Sequence, residues 1–292
     1  MEKTNLDPDN NKLAIDRDRF GNPKGEYFDL ALDNAFTGTK IAVLHLYTGE
    51  GFDFELPKEA LAKKGFDIIY WKDHAPSASM LKQELETSSQ LWLISDTNIK
   101  LQPDHIQEII NFFKQGKGLY ILGDNEPYFA DANQVLNKLF QITMSGNFEG
   151  NTVLGLQDGS GKRGLLKNHE ISTGIEHLFE GDTVAVLKGE FSDLIPLLNN
   201  SNGDPLAVCY DKNGRRAIID GGFTRLFCNW DSAGTARYVV NAATWLVNDL
   251  KIKSVELTAS LNSASIIDKF AKRDCESEEP NVSVPSSIIN KF

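Results

Sequence analysis

From Lys40 onward, short continuous apolar runs alternate with segments whose apolar residues recur every three or four positions. The runs IAVLHLY (41–47), FDIIYW (66–71), QLWLIS (90–95) and GLYIL (118–122) have the length and continuity of strands buried on both faces. Between and after them the spacing is helical. PKEALAKKG (57–65) places Pro57 at a first helical turn and Gly65 at a C-terminal stop. SMLKQELE (79–86) makes a shorter helix. In PDHIQEIINFFKQG (103–116), Ile106, Ile109, Ile110 and Phe113 form one stripe that ends at Gly116. PYFADANQVLNKLF (127–140) puts Phe129, Ala132, Val135, Leu136 and Leu139 on one face. This alternation predicts right-handed crossovers and an α/β fold with a mostly parallel sheet.

The second half is richer in strands. TVLGL (152–156), TVAVL (183–187), PLAVCY (205–210) and RRAIID (215–220) are the candidates, and DKNG between the last two signals a hairpin. A closing helix, TARYVVNAATWLVN (235–248), buries Val239, Ala242, Ala243 and Leu246. The domain expected to fold therefore spans residues 40–250. Residues 1–39, rich in Asp, Asn, Gly and Lys, read as an N-terminal arm lying on its surface. Residues 251–292, ending ESEEPNVSVPSSIINKF, read as a largely disordered tail with a short helix at 265–272.

Composition narrows the function classes. Among 292 residues, 41% are apolar and 24% charged, as in an ordinary globular protein. The net charge of -11, with a pI near 5.0, argues against nucleic-acid and anionic-membrane partners, which need a basic face. The polar N-terminus lacks a signal-peptide core, and no apolar run reaches membrane-spanning length. Three cysteines with no CxxC or HxxxH spacing fit a reducing compartment and no structural zinc. A cytoplasmic protein is expected.

In open α/β sheets, ligands bind beyond the carboxyl ends of the strands. The residues that follow the predicted strands are therefore the candidate binding set: Tyr47, Thr48 and Glu50; Asp96 and Asn98; Asp124, Asn125, Glu126 and Tyr128; and Asp220, Gly221, Gly222, Thr224 and Arg225, with Trp230. Each has a plainer reading. Asp124 or Asn125 caps the helix entered through Pro127. Glu50 and Asp53 are solvated loop carboxylates. Gly221-Gly222 serves a tight turn, or lets a ligand approach the backbone. Arg225 forks onto a carboxylate or phosphate, or clamps Asp231, and the clamp is favoured. Tyr128, Phe223 and Trp230 stack on a ligand or pack inside.

His45 reads as a core imidazole, and His105 and His177 as helix or loop surface residues. Cys209 lies inside a strand and Cys228 in a loop without a histidine partner, so a nucleophilic cysteine has little support. No GxSxG or Walker A motif occurs, and DGSGKRG (158–164), whose glycines fall at GxGxxG spacing, reads as an exposed loop. A second reading takes Asp96, Asp124 and Asp220 as ligands of a Mg²⁺ ion, since hard cations prefer clustered carboxylates.

Three segments carry a family resemblance: the corner ILGDNEPY (121–128), NHEISTGI (168–175), and GRRAIIDGGFTRLF (214–227) with GTARYVVNAATWL (234–246). Together they resemble the class I glutamine amidotransferase-like superfamily, in particular its trehalose-utilisation-type and von Willebrand A-associated domains. The resemblance implies a flavodoxin-like three-layer sandwich whose second half adds antiparallel strands. It also implies that ILGDNEPY occupies the nucleophile elbow. The departures matter. Asp124 or Asn125 stands where amidotransferases carry Cys, and Asp220-Gly221-Gly222 stands where they carry a His followed by an acid. Glu170 replaces the Pro that follows His in the second segment, where His169 reads as a surface residue stabilising the turn before Gly174.

Without nucleophile and base, glutaminase activity is not expected. The leading expectation is a non-hydrolytic module that binds a small molecule or a protein, such as a von Willebrand A-containing partner, with no cofactor. The alternatives are the Mg²⁺-dependent enzyme and a structural assembly subunit.

Overall fold

The computed structural model describes residues 15–160, 162–227, 230 and 233–247. The apolar runs form β1 (Thr39–His45), β2 (Phe66–Lys72), β3 (Gln90–Ile94) and β4 (Gly118–Leu122). The periodic segments form α1 (Glu55–Lys63), α2 (Ala78–Thr87), α3 (Pro103–Lys114) and α4 (Ala130–Leu139). Beyond these come β5 (Ile142–Glu149), β6 (Val153–Gln157), β7 (Gly164–Leu166), β8 (His177–Phe179) and β9 (Thr183–Gly189). The chain continues through β10 (Leu194–Asn199), β11 (Pro205–Lys212), β12 (Arg215–Asp220) and α5 (Thr235–Leu246). The expected tail, its helix at 265–272, Cys228, Cys275 and Asp231 lie outside the described residues.

Ten strands share one sheet in the order β2-β1-β3-β4-β12-β11-β10-β7-β6-β8, while β5 and β9 pair separately. β2, β1, β3, β4 and β12 run parallel to one another. Counted alone they have the order 2-1-3-4-5, the flavodoxin-like arrangement, with its switch point between β1 and β3. The sheet turns antiparallel at the β11–β12 hairpin. There Asn213 and Gly214 both adopt positive φ (54° and 68°), as a two-residue type I′ turn requires.

Alternate residues of the parallel strands feed two cores. Ile41, Val43, Trp92, Ile94, Tyr120 and Ile218 pack against α1 and α5. Ala42, Leu44, Leu91, Leu93, Ile121 and Ile219 pack against α2, α3 and α4. Burial on both faces is what makes these strands continuous apolar runs. β5, β7, β8 and β10 escape the sequence pattern. Along β5, ITMSGNFE, only Ile142 and Met144 are fully buried, and Pro196 interrupts β10.

Residues 15–38 are fastened to the domain by a few polar side chains. The Asn22 carboxamide oxygen accepts from the amides of Glu176 and His177, each at 2.8 Å. Arg237 of α5 binds Asp29 at 2.7 Å and donates to the carbonyls of Pro23, Gly25 and Gly174. Asn241 is fully buried. It accepts from Leu30 N at 2.8 Å and donates to the carbonyls of Ile171 (3.0 Å) and Thr173 (2.8 Å).

Truncating Asn241 leaves these three backbone groups unpaired, so Asn241→Ala is expected to lower unfolding free energy by about 2–3 kcal/mol. Hydrogen exchange should accelerate at the Leu30 amide while amides of β3 and β4 stay protected. Unchanged exchange at Leu30 contradicts the assignment.

Candidate functional site

The ends of β1, β3, β4 and β12 do converge, and hydrogen bonds join the segments that leave them. The Gly123 amide donates to the Asp220 carbonyl at 2.9 Å, and the Phe223 amide to the Gly123 carbonyl at 3.0 Å. Thr48 donates its hydroxyl to Asp96 Oδ2 at 3.0 Å. The fold inference that places these residues on one rim holds for the described chain.

What fills the rim is the chain itself. Tyr47 lies 4.8 Å from Phe223, 5.4 Å from Phe52 and 5.5 Å from Tyr128, measured between ring centroids. Phe52 in turn meets Phe227 at 4.1 Å. Offset and edge-on contacts of this kind add to the burial of each ring. Trp230 is buried in the core on the α5 side, so Phe223 and Trp230 are packing residues. Thr48, Glu50, Asn98 and Glu126 are exposed, and Asn125, Tyr128 and Thr224 half-buried.

The carboxylates are spoken for. Asp220 is fully buried and pairs with Arg225, also buried; its Oδ2 accepts from the hydroxyls of Tyr120 and Tyr238, each at 3.2 Å. The Gly222 amide donates to Oδ1 at 3.1 Å, and Arg225 gives a further N–H to the Glu180 carbonyl. Burial alone depresses a guanidinium pKa, but the Asp220 charge overrides it and holds Arg225 charged. Arg225 is therefore a structural clamp on Asp220, while Asp231, the partner expected from the sequence, lies outside the described residues. Burial likewise pushes the phenols of Tyr120 and Tyr238 upward, and they remain neutral donors.

Asp96 accepts from the Thr97 amide at 2.7 Å and pairs with Lys100 at 2.6 Å. Burial raises its pKa, but the Lys100, Thr97 and Thr48 hydrogen bonds outweigh that and hold it below the usual carboxylate range. Lys100 also reaches the Leu46 carbonyl at 2.6 Å, tying the end of β1 to the loop after β3. Asp96, Asp124 and Asp220 thus serve separate networks. Among the described residues, no three His, Cys, Asp or Glu side chains come together as a metal site. The Mg²⁺ reading thus has no cluster of three such side chains among the described residues to rest on.

The elbow also departs from expectation. The helix does not start at Pro127: α4 begins at Ala130 with Phe129 as its N-cap residue, which makes no side-chain cap bond. Its free amides are taken from the neighbouring strand end. Asp96 O accepts from Ala130 at 3.0 Å, and Ser95 Oγ from Asp131 and Ala132, each at 3.1 Å. Asp124 and Asn125 are therefore not the cap. Asp124 instead accepts from its neighbour's amide (Asn125, 2.8 Å), from the Thr224 amide (3.0 Å) and from the Thr183 hydroxyl (2.6 Å). Asn125 donates to Asn147 Oδ1 at 2.8 Å, and the Glu126 amide to the Gly146 carbonyl at 2.9 Å. The β5–β9 pair thus covers the elbow.

Gly221 and Gly222 serve this covering. A side chain at Gly221 would meet the Ala185 carbonyl of β9 at 2.4 Å, and one at Gly222 would meet Arg225 and the Glu180 carbonyl at 2.9 Å. Gly221 must be small for β9, and Gly222 for Arg225 and the Glu180 carbonyl.

The histidines and Cys209 are positioned for structure. His45 is buried, its Nδ1 paired with the Tyr70 hydroxyl, and burial drives its pKa down to about 4. His105 is buried, contrary to the surface reading, because its Nδ1 accepts from the Gln102 amide at 3.0 Å to close the start of α3. His177 belongs to β8, not to a helix or loop. His169 accepts from the Ile171 amide at 3.2 Å, as expected at that turn, but its Nε2 also faces Cys209 Sγ at 3.5 Å. Burial pushes the Cys209 thiol up to about 12 and lowers the imidazole pKa. A neutral thiol beside a neutral imidazole is a buried contact, not an activated nucleophile. Thr183, Tyr120, Tyr238 and Ser95 give no signal in the sequence, since each sits in or beside an apolar run and acts on a residue far along the chain.

Burial raises the Asp124 pKa to about 6, against the pull of its three donors. The native state then holds this proton more tightly than the unfolded chain, whose Asp titrates near 3.8. Stability is therefore lost as pH rises from about 4 to about 6, by roughly 1.4 kcal/mol per unit from this group. Asp124→Asn removes that dependence. Urea unfolding at pH 4, 5, 6 and 7 should show the wild type falling relative to the variant until about pH 6 and then holding level. A pH-independent difference contradicts the shift.

No family model and no curated protein matches the chain. Among solved structures, a cytoplasmic protein from Salmonella typhimurium is 16% identical over 70% of this chain and 98% of its own, with a TM-score of 0.48. A protein described as ThuA-like from Parabacteroides merdae is 12% identical over 72% and 90%, with a TM-score of 0.46. A protein described as a component of GMP synthase from Thermoplasma acidophilum is 10% identical over 75% and 97%, with a TM-score of 0.45. The flavodoxin-like assignment rests on the strand order itself.

Proposed function

We propose that the chain is a non-hydrolytic amidotransferase-like domain that recognises a protein partner through the rim at its strand ends. The observation that carries this reading is the filling of the rim by Tyr47, Phe52, Phe223 and Phe227. A hydrolytic elbow needs an exposed nucleophile, a base within reach and room for the substrate carbonyl. Here the corner holds Asp124, which is 1% exposed and bound by three donors. At the end of β12, Asp220 is locked by Arg225.

The outward residues of the rim suit recognition across a broad surface. Leu56 in the first turn of α1 and Ile99 after β3 are 46% and 61% exposed, among polar Glu50, Asn98 and Glu126. A non-obligate interface is about as apolar as the rest of a protein surface, and this rim has that mixed character. A von Willebrand A-containing protein is one partner of the expected kind.

Purified chain is expected to release no ammonia from glutamine above the buffer rate. A photo-reactive residue replacing Asn98 should crosslink a partner in cells that produce the chain, and one replacing Gln115, at the other end of the sheet, should not. Glutamine hydrolysis, or equal crosslinking from both positions, overturns the proposal.

A further inference from the structure

A cavity of about 510 Å³ lies at the other end of the sheet from the rim, where α3 and α4 end and β12 begins. Its volume falls in the range of small-molecule sites. Three rings belong to its lining, Phe140 half-buried and Phe113 and Tyr210 buried. Phe113, Phe140 and Tyr210 lie pairwise 5.4 to 5.7 Å apart and inclined to one another.

Cations line the same space. The Arg215 guanidinium sits 5.5 Å from the Phe113 centroid and 5.8 Å from that of Tyr210, and gives one N–H to the Tyr210 hydroxyl at 3.2 Å. That bond and the two rings hold the guanidinium at the cavity, with most of its donors unpaired among the described residues. Lys114 and Lys138 line it too, and among the described residues neither they nor Arg215 has a carboxylate partner. Two acids share the lining, but Asp193 is engaged by Lys212, which leaves Glu190 alone against three cations. Such a local excess is unusual in a chain of net charge -11.

We propose that this cavity binds a small organic anion: a planar ring against the aromatic lining, with a carboxylate, sulfonate or phosphate group taken by Arg215 and the two lysines. The half-buried Arg215 guanidinium, flanked by the exposed Lys114 and Lys138, favours a charge-assisted, forked contact with such a group. The ring would displace water from the half-buried Phe140, Leu139 and Ile110. The site is independent of the rim and of the reading given to it.

The test uses the full chain at low ionic strength and three probes: 2-naphthalenesulfonate, neutral 2-naphthol and inorganic sulfate. Calorimetry is expected to give saturable 1:1 binding of the sulfonate, with the naphthol and the sulfate each at least about tenfold weaker. Arg215→Gln should weaken sulfonate binding about tenfold and Lys138→Gln about threefold. Lys138 is exposed near the end of α4, so its variant keeps the fold and serves if Arg215→Gln unfolds. No sulfonate binding at millimolar probe, naphthol binding as tightly, or Lys138→Gln without effect would overturn the proposal.

Discussion

The buried pair of Asp220 and Arg225 is the constraint around which the strand-end rim is built. Two ions withdrawn from water cost several kcal/mol each unless their remaining hydrogen-bonding capacity is met. Here it is met from four directions. Tyr120 comes from β4, Tyr238 from α5, the Gly222 amide from the loop after β12, and the Glu180 carbonyl from the approach to β9. The pair therefore dictates where these elements stand relative to one another. It also explains why Gly222 must be small, since Arg225 and the Glu180 carbonyl close on it, while Gly221 leaves room for β9.

The same arrangement accounts for what the rim lacks as a reaction site. An elbow that attacks substrate must leave its nucleophile exposed and under-bonded. Asp124 is the reverse, a carboxylate saturated by Asn125, Thr183 and Thr224 and covered by the β5–β9 pair. Its neutral or charged state bears on stability, because the groups around it are structural donors. With the aromatic side chains closing the space above β1 and β12, the chain offers a surface at one end of its sheet and a cavity at the other.

Much of this is legible in the amino-acid sequence, for a physical reason. β1, β3 and β4 are buried on both faces, so they are spelled as continuous apolar runs, and the helices between them show their buried stripes. The strand-end residues follow from that order, and they do meet. The parts that escape are those set by partners distant in sequence. β7 and β8 are three residues long, and β5 is half-exposed. Asp124 reads as a helix cap because Pro127 follows it, yet Ser95 from the next strand serves α4, and Thr183, 59 positions away, serves Asp124. Arg225 reads as a clamp, and it is one, but the sequence matches it to Asp231 as long as the charge of Asp220 is counted as available for a ligand.

The rim depends on Asp220 and Arg225 acting as one unit, and a double-mutant cycle measures this directly. Urea unfolding would be compared for Asp220→Asn, Arg225→Met, the double variant and the wild type. Each single change strands a buried polar or charged group, so each should cost about 3–5 kcal/mol, while the double variant should be no worse than either. A coupling energy above about 2 kcal/mol is the expected result. Single effects that add within about 0.5 kcal/mol would contradict it.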